Sequence, residues 1–396
     1  MLAASAALPW VRDAPDSRAA GPPPRIRTIT AGVGISSPTD RGRVEAAIAM
    51  LGRARKVFES EGYEVQTLRV ATPPLMAAAD DRAREAALTQ LQALDELASG
   101  HGILLSIGPV LSADRPEPHL PAWAAELART TRNLSFTVAV ATPEGGTAPH
   151  AATVAAQTTA AIARATPNGL GNFRFAAAAN IPPGTPFFPV AYHQGPDALA
   201  IGLESASLVD SGAKLRDRMD EVLAPIARAA AEFARREGRA YLGIDPSPAP
   251  GKDRSIGAAI ESLTGVPFGS ASTLDACATI TAALKSLRAR TCGYAGLMLP
   301  VLEDPVLAKR AGEGRYGVQD LLLYSSVCGT GLDVVPLPGD TPIEVLARLI
   351  RDVATLSARL RKPLSARLFP VPGKAAGQVA YFDDPYLTDS AVMEVR

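Results

Sequence analysis

The residues best suited to chemistry lie where apolar runs give way to loops. In GIDPSPAPGKDRSIG (243–257), Asp245 closes an apolar run, Pro246, Pro248 and Pro250 stiffen the loop after it, and Lys252 and Arg254 precede Ser255, a natural helix N-cap. A cationic loop feeding a helix start suits a carboxylate or phosphate. In SSVCGTGLDVVPLPGD (325–340), Cys328 stands before Gly329 and Gly331, whose freedom at positive φ lets a turn aim N–H groups at an anion. A thiolate there can act as nucleophile or proton carrier, with Asp245 or Asp333 as its carboxylate partner. The Pro-rich stretch 181–196 carries His193, an acid or base near neutrality, and Asn180 and Glu204 flank it. Arg367 and Lys374 bracket the C-terminal RLFPVPGK and can orient an anion. Asp304, Asp333 and Asp340 have the hard oxygens a divalent cation takes, and no other cofactor is expected. Each has a plainer reading: a capped loop, a buried thiol, a satisfied loop histidine, solvated charges.

These positions need a scaffold. Ten strand-like runs (27–34, 64–71, 103–110, 134–142, 172–180, 197–205, 241–246, 294–300, 332–339 and 365–373) are mostly separated by helix-like stretches, as at 80–99 and 211–237. Continuous apolar strands alternating with helices predict an α/β fold with a largely parallel sheet covered on both faces. In such folds ligands gather beyond the carboxyl ends of the strands. No linker or charge block divides 25–396, so one domain is expected, and residues 1–24 read as a disordered leader. Its apolar opening lacks a basic n-region, which favours a cytoplasmic protein while leaving export open.

Composition removes several classes. Forty basic and forty acidic side chains leave no basic surplus for nucleic acid. No apolar stretch approaches the ~20 residues of a membrane span. Three cysteines give no disulfide framework and no C-x-x-C pair. G-x-G-x-x-G after the first strand, G-x-S-x-G and a Walker A loop are absent. A homodimer or higher homo-oligomer is expected on general grounds.

RTITAGVG near the start, FFPVAYH, GIDPSPAP, and SSVCGTGLDVVPLPGD followed by FPVPG resemble the bacterial family called domain of unknown function 711, over nearly all of 25–396. The resemblance implies a fold like the ten-stranded α/β barrel of pyruvate formate-lyase. There, two five-stranded parallel half-sheets, surrounded by helices, close around a central loop. It also implies that Cys328 and its glycine turn face the barrel interior. No glycyl-radical motif stands in RLFPVPGKAAGQVAYF, so radical catalysis is not implied. Two functions arise as expectations: an enzyme using acid–base or covalent chemistry of hydrolase or lyase type on a small anionic metabolite, or a non-catalytic ligand-binding or assembly protein.

Overall fold

The computed structural model describes residues 24–395. The expected leader lies outside the described residues, Pro24 excepted. The apolar runs form β1 (Arg25–Gly32), β2 (Val65–Ala71), β3 (Ile103–Leu111), β4 (Leu134–Thr142), the short β5 (Gly146–Thr147), β6 (Phe175–Ala179), β7 (Ala198–Glu204), β8 (Ala240–Asp245), β9 (Gly331–Pro338) and β10 (Leu364–Val371). Between them lie α1 (Arg41–Ser60), α2 (Asp81–Gly100), α3 (Leu120–Thr130), α4 (Pro149–Ala165), α5 (Leu215–Arg236), α6 (Ile256–Thr264), α7 (Thr273–Lys285), α8 (Pro305–Gly312), α9 (Val318–Ser325) and α10 (Ile343–Leu360). The last three were not read from the sequence, although α10 buries Leu346, Leu349, Ile350 and Val353 at helical spacing.

All these strands join one ten-stranded, mostly parallel sheet in the order β8-β7-β1-β2-β3-β4-β6-β10-β9, with β5 hairpinned onto β4. From β1 to β6 the neighbours on this path are parallel. The senses reverse at β1–β7 and at β6–β10, and the outer pairs β7–β8 and β9–β10 are again parallel. Strands covered on both faces are buried nearly end to end, as in the eight-residue β10. A C-terminal ribbon, β11 (Val379–Ala380) with β12 (Ser390–Ala391), brackets a loop carrying Asp384 and Tyr386. Among the described residues no helix is long and apolar enough to cross a membrane.

The expected tenth strand, 294–300, is not a ladder strand. It spans the gap between the free edges β8 and β9 with one parallel bridge near each end, Thr291 to Ile244 and Pro300 to Asp333. The cause is local. Asp245 draws in the N–H groups of Tyr294 (2.8 Å) and Ala295 (3.1 Å), and Ser247 Oγ that of Gly296 (3.1 Å). Donors that a strand would offer a neighbour go to side chains, and Ala295 adopts φ 45°. Ladders therefore do not close the ring that the barrel expectation requires.

The Pro-rich loop runs inward. Gly184–Phe187 and Pro189–Val190 are buried, and Pro186 O accepts from Thr30 Oγ1 of β1 at 3.0 Å. Phe187 rests over Gly202 of β7, where an added Cβ would sit 2.9 Å from its ring. Phe187 and Val190 pack with Ala176, Ala249, Tyr294 and Met298 in a small apolar cluster apart from the main core.

Candidate functional site

The inward loop leaves a cavity of about 190 Å³ beside it. Side chains two apart on one strand share a face, so Thr67 and Arg69 of β2 both reach it, as do Ser365 and Arg367 of β10. Arg27 enters from β1 and Asp333 from β9, and Tyr294, Met298 and Glu303 come from the irregular stretch and the turn after it. Phe187, Phe188, Pro189 and Ala249 supply apolar wall, and Asp384 and Tyr386 enter from the C-terminal loop.

Arg367 is fully engaged. Its Nε donates to Asp333 Oδ1 at 2.8 Å, its second nitrogen to Glu303, and its guanidinium lies 5.0 Å over the Phe173 ring. Burial pushes the Asp333 carboxyl above its ordinary value; Arg367 pulls it back and Glu303 adds to the rise. Tyr294 shares a hydrogen bond with Ser365 Oγ at 2.9 Å, and burial raises the phenol. Arg27 donates to Gln66 at 3.0 Å, approaches Glu303 at 3.4 Å and stacks on Tyr386 at 5.2 Å.

Arg69 differs from both. It is 3% exposed, donates to the Pro186 carbonyl and faces the Phe188 ring at 5.5 Å. Its Nε has no partner, and among the described residues no carboxylate pairs with it. Burial, then the like charge of Arg27, pull its pKa below the ordinary arginine value; Tyr386 pulls it up and Arg367 adds to the fall. A guanidinium stays protonated at physiological pH, so the charge is held there against the cost of burial.

Of the residues singled out from the sequence, Asp333 and Arg367 line this cavity. Lys252 stands beside it, its Nζ 3.0 Å from Asp384 O, in a recess that shares Arg27, Glu303 and Tyr386. Glu204 is buried under Arg25 (3.0 Å), Gln66 and Arg254 (3.6 Å). Cys328 does not line the cavity: it is 1% exposed in the main core, where burial raises its thiol pKa and Lys362 opposes the rise. Gly329 and Gly331 serve backbone packing, since a Cβ on Gly329 would meet Gly296 Cα at 2.4 Å and one on Gly331 would meet Ser365 O at 2.2 Å. Asp245 is the clasp already described, and burial raises its pKa against its hydrogen bonds. His193 is buried against Gly32; its Nε2 faces the carbonyls of Gly195 and Pro196 at 3.2 and 2.9 Å, so that nitrogen carries the hydrogen. Asn180, at φ 52°, ties β6 to Ser357 at 2.9 Å. Lys374 lies 5.7 Å from the Tyr381 ring.

The carboxylates considered for a cation have other partners or lie in solvent. Asp304 accepts from Ser255 Oγ (2.7 Å), Ile256 N (2.6 Å), Val306 N (2.9 Å) and Leu307 N (3.0 Å), capping α6 and α8 at once. Ser255 is likewise a cap, accepting from Ala258 N at 2.9 Å. Asp333 is paired to Arg367, and Asp340 is exposed. Among the described residues no three His, Cys, Asp or Glu side chains assemble to hold an ion.

The sequence reading missed Arg27, Arg69, Tyr294 and Glu303. It looked beyond strand ends, whereas Arg27 and Arg69 stand within strands and Tyr294 and Glu303 in the irregular stretch and the turn after it. The available signal was a charge inside an apolar strand: Arg69 sits mid-run in EVQTLRVA.

Comparison with known proteins gives a family but no activity. A family model described as "Uncharacterised ACR (DUF711)" matches residues 22–383. A UPF0210 protein of Pyrobaculum islandicum is 31% identical over 352 residues, covering 82% of this chain and 77% of that one. One from Desulforudis audaxviator is 27% identical over 413 residues, covering 94% and 90%. One from Oenococcus oeni is 23% identical over 393 residues, covering 89% and 87%.

Proposed function

The chain belongs to the DUF711 family, and from that premise we propose that it is an enzyme binding a small anionic metabolite in the Arg69 cavity and acting on it by acid–base chemistry. The observation that carries the reading is Arg69, a buried guanidinium with no carboxylate partner among the described residues, facing a cavity. Such a charge is costly unless something binds it, and an anionic substrate does so. Arg27 adds a second cation, and Arg367 holds Asp333 and Glu303 in place. In a lyase step Asp333 takes a proton from the bound substrate as the bond to the departing group breaks and returns it to that group; in a hydrolase step it takes the proton from a water whose oxygen bonds to the substrate and returns it to the group that leaves. The step is redox-neutral and of lyase or hydrolase type. Cys328, packed away from the cavity, has no part in it.

The enclosing sheet fits the same reading. We take it as a barrel of the pyruvate formate-lyase kind in which the irregular stretch 291–300 serves as the last stave, bridged once to each edge, around an inward loop.

The test is turnover of a panel of small carboxylates and phosphates by the wild type and by Asp333→Asn. The wild type should convert at least one, and the variant should lose about 10²-fold or more in kcat/KM. As a base with a raised pKa, Asp333 makes kcat/KM rise with pH along a limb lying above the ordinary 3.8, and that limb disappears in the variant. Binding without conversion of any panel member would instead support a non-catalytic ligand-binding protein.

A further inference from the structure

The cavity has two chemically distinct parts. One holds Arg27, Arg69 and Arg367 with Glu303 and Asp333, and Arg132, Arg174 and Asp384 also belong to the lining. Glu303 and Asp333 serve Arg367, Glu303 also approaches Arg27, Arg174 donates to Thr131 Oγ1 and to the carbonyls of Leu134 and Ala128, and Arg132 is exposed, so the buried guanidinium of this lining with an unpartnered nitrogen is Arg69. The other part is apolar: Phe187, Phe188, Pro189, Met298 and Ala249. A phosphate dianion needs several convergent donors; Thr330 of the glycine turn lines the cavity, but the turn's N–H groups are taken, that of Gly329 by Leu297 O (2.9 Å) and those of Thr330 and Gly331 by the Cys328 sulfur. A dicarboxylate would bring its second charge against Phe and Met. The volume, about 190 Å³, falls below the ~300–1,000 Å³ of pockets for drug-sized ligands, which points to a small molecule.

We infer, resting on the proposed anion-binding function, that the ligand is a monocarboxylate with an aromatic or branched apolar body. Its carboxylate sits on Arg69, assisted by Arg27, and its body lies between Phe187–Phe188 and Met298.

Isothermal titration of the full chain with benzoate, 3-phenylpropanoate, benzamide, succinate and inorganic phosphate tests this. At least one aromatic carboxylate should bind about tenfold or more tighter than benzamide, succinate or phosphate. Arg69→Met should lose about tenfold or more of that affinity, with Arg69→Lys between the two. Phe188→Ala, which leaves the charges in place, should lose about three- to tenfold. Tighter binding of phosphate or succinate overturns the inference, as does undiminished binding by Arg69→Met or no binding of either aromatic carboxylate at millimolar concentration. The two readings fail separately. Aromatic carboxylates that bind while no panel member is turned over leave the inference standing and remove the enzyme. Turnover of a dianion, with aromatic carboxylates excluded, does the reverse.

Discussion

Arg69 and Arg367 show how two buried arginines of one cavity differ in meaning. Arg367 is surrounded by acceptors, so its charge is compensated within the protein. Arg69 has one backbone carbonyl and an aromatic face, and its Nε is unpaired. Such a residue detracts from the stability of the empty protein. Arg69→Met should therefore stabilise the ligand-free chain by about 1–3 kcal/mol, read as a higher midpoint in urea. A ligand that binds through Arg69 should raise the midpoint of the wild type and not that of the variant. A variant markedly less stable than wild type would mean that the guanidinium is a structural strut.

At the scale of elements, carboxylates at loop positions hold the backbone rather than face the cavity. Asp245 takes the N–H groups of Tyr294 and Ala295, which turns the expected tenth strand into an irregular stretch and brings Tyr294 to the cavity wall. Asp304 is a shared cap: its two oxygens satisfy the open N-termini of α6 and α8, which pack on one another. Asp304→Ala should cost about 2–3 kcal/mol, roughly a cap for each helix, measured by chemical denaturation. A loss below about 0.5 kcal/mol would show that other groups or water satisfy those ends. The burial-raised pKa of Asp304 makes the protonated carboxyl relatively favoured in the fold. This contribution is fully present below the ordinary 3.8 and is lost as pH rises through the folded value.

At the scale of the whole molecule, the cavity depends on strands far apart in sequence. β1 and β2 supply Arg27 and Arg69, and β9 and β10 supply Asp333 and Arg367. The antiparallel junctions β1–β7 and β6–β10 tie the outer strand pairs to the central parallel group, and the main core runs through helices on both sides of those junctions. Residues 25–396 should consequently unfold as one domain. Scanning calorimetry should give a single transition whose calorimetric and van't Hoff enthalpies agree, and two resolved transitions would divide the chain. At a concentration of 100 times its Kd, a cavity ligand should add about 2.7 kcal/mol to that one transition.

By itself the sequence determined the α/β class and nine ladder strands, because burial on both faces writes each strand as a local apolar run, as in ILLSIGPV and LSFTVAVAT. It also marked Asp333 and Arg367, charges inside or beside such runs. It could not distinguish a carboxylate that clasps backbone, such as Asp245 or Asp304, from one that faces a ligand, because both stand at the same kind of strand or loop end. Nor could it show that Cys328 packs into the core while Arg69 opens on a cavity. Those outcomes belong to the tertiary structure. Which face of a strand is covered, and by what, depends on segments distant in sequence, and here one of them is the inward Pro-rich loop, whose Pro186 O accepts from Thr30 of β1 and whose Phe187 rests over Gly202 of β7.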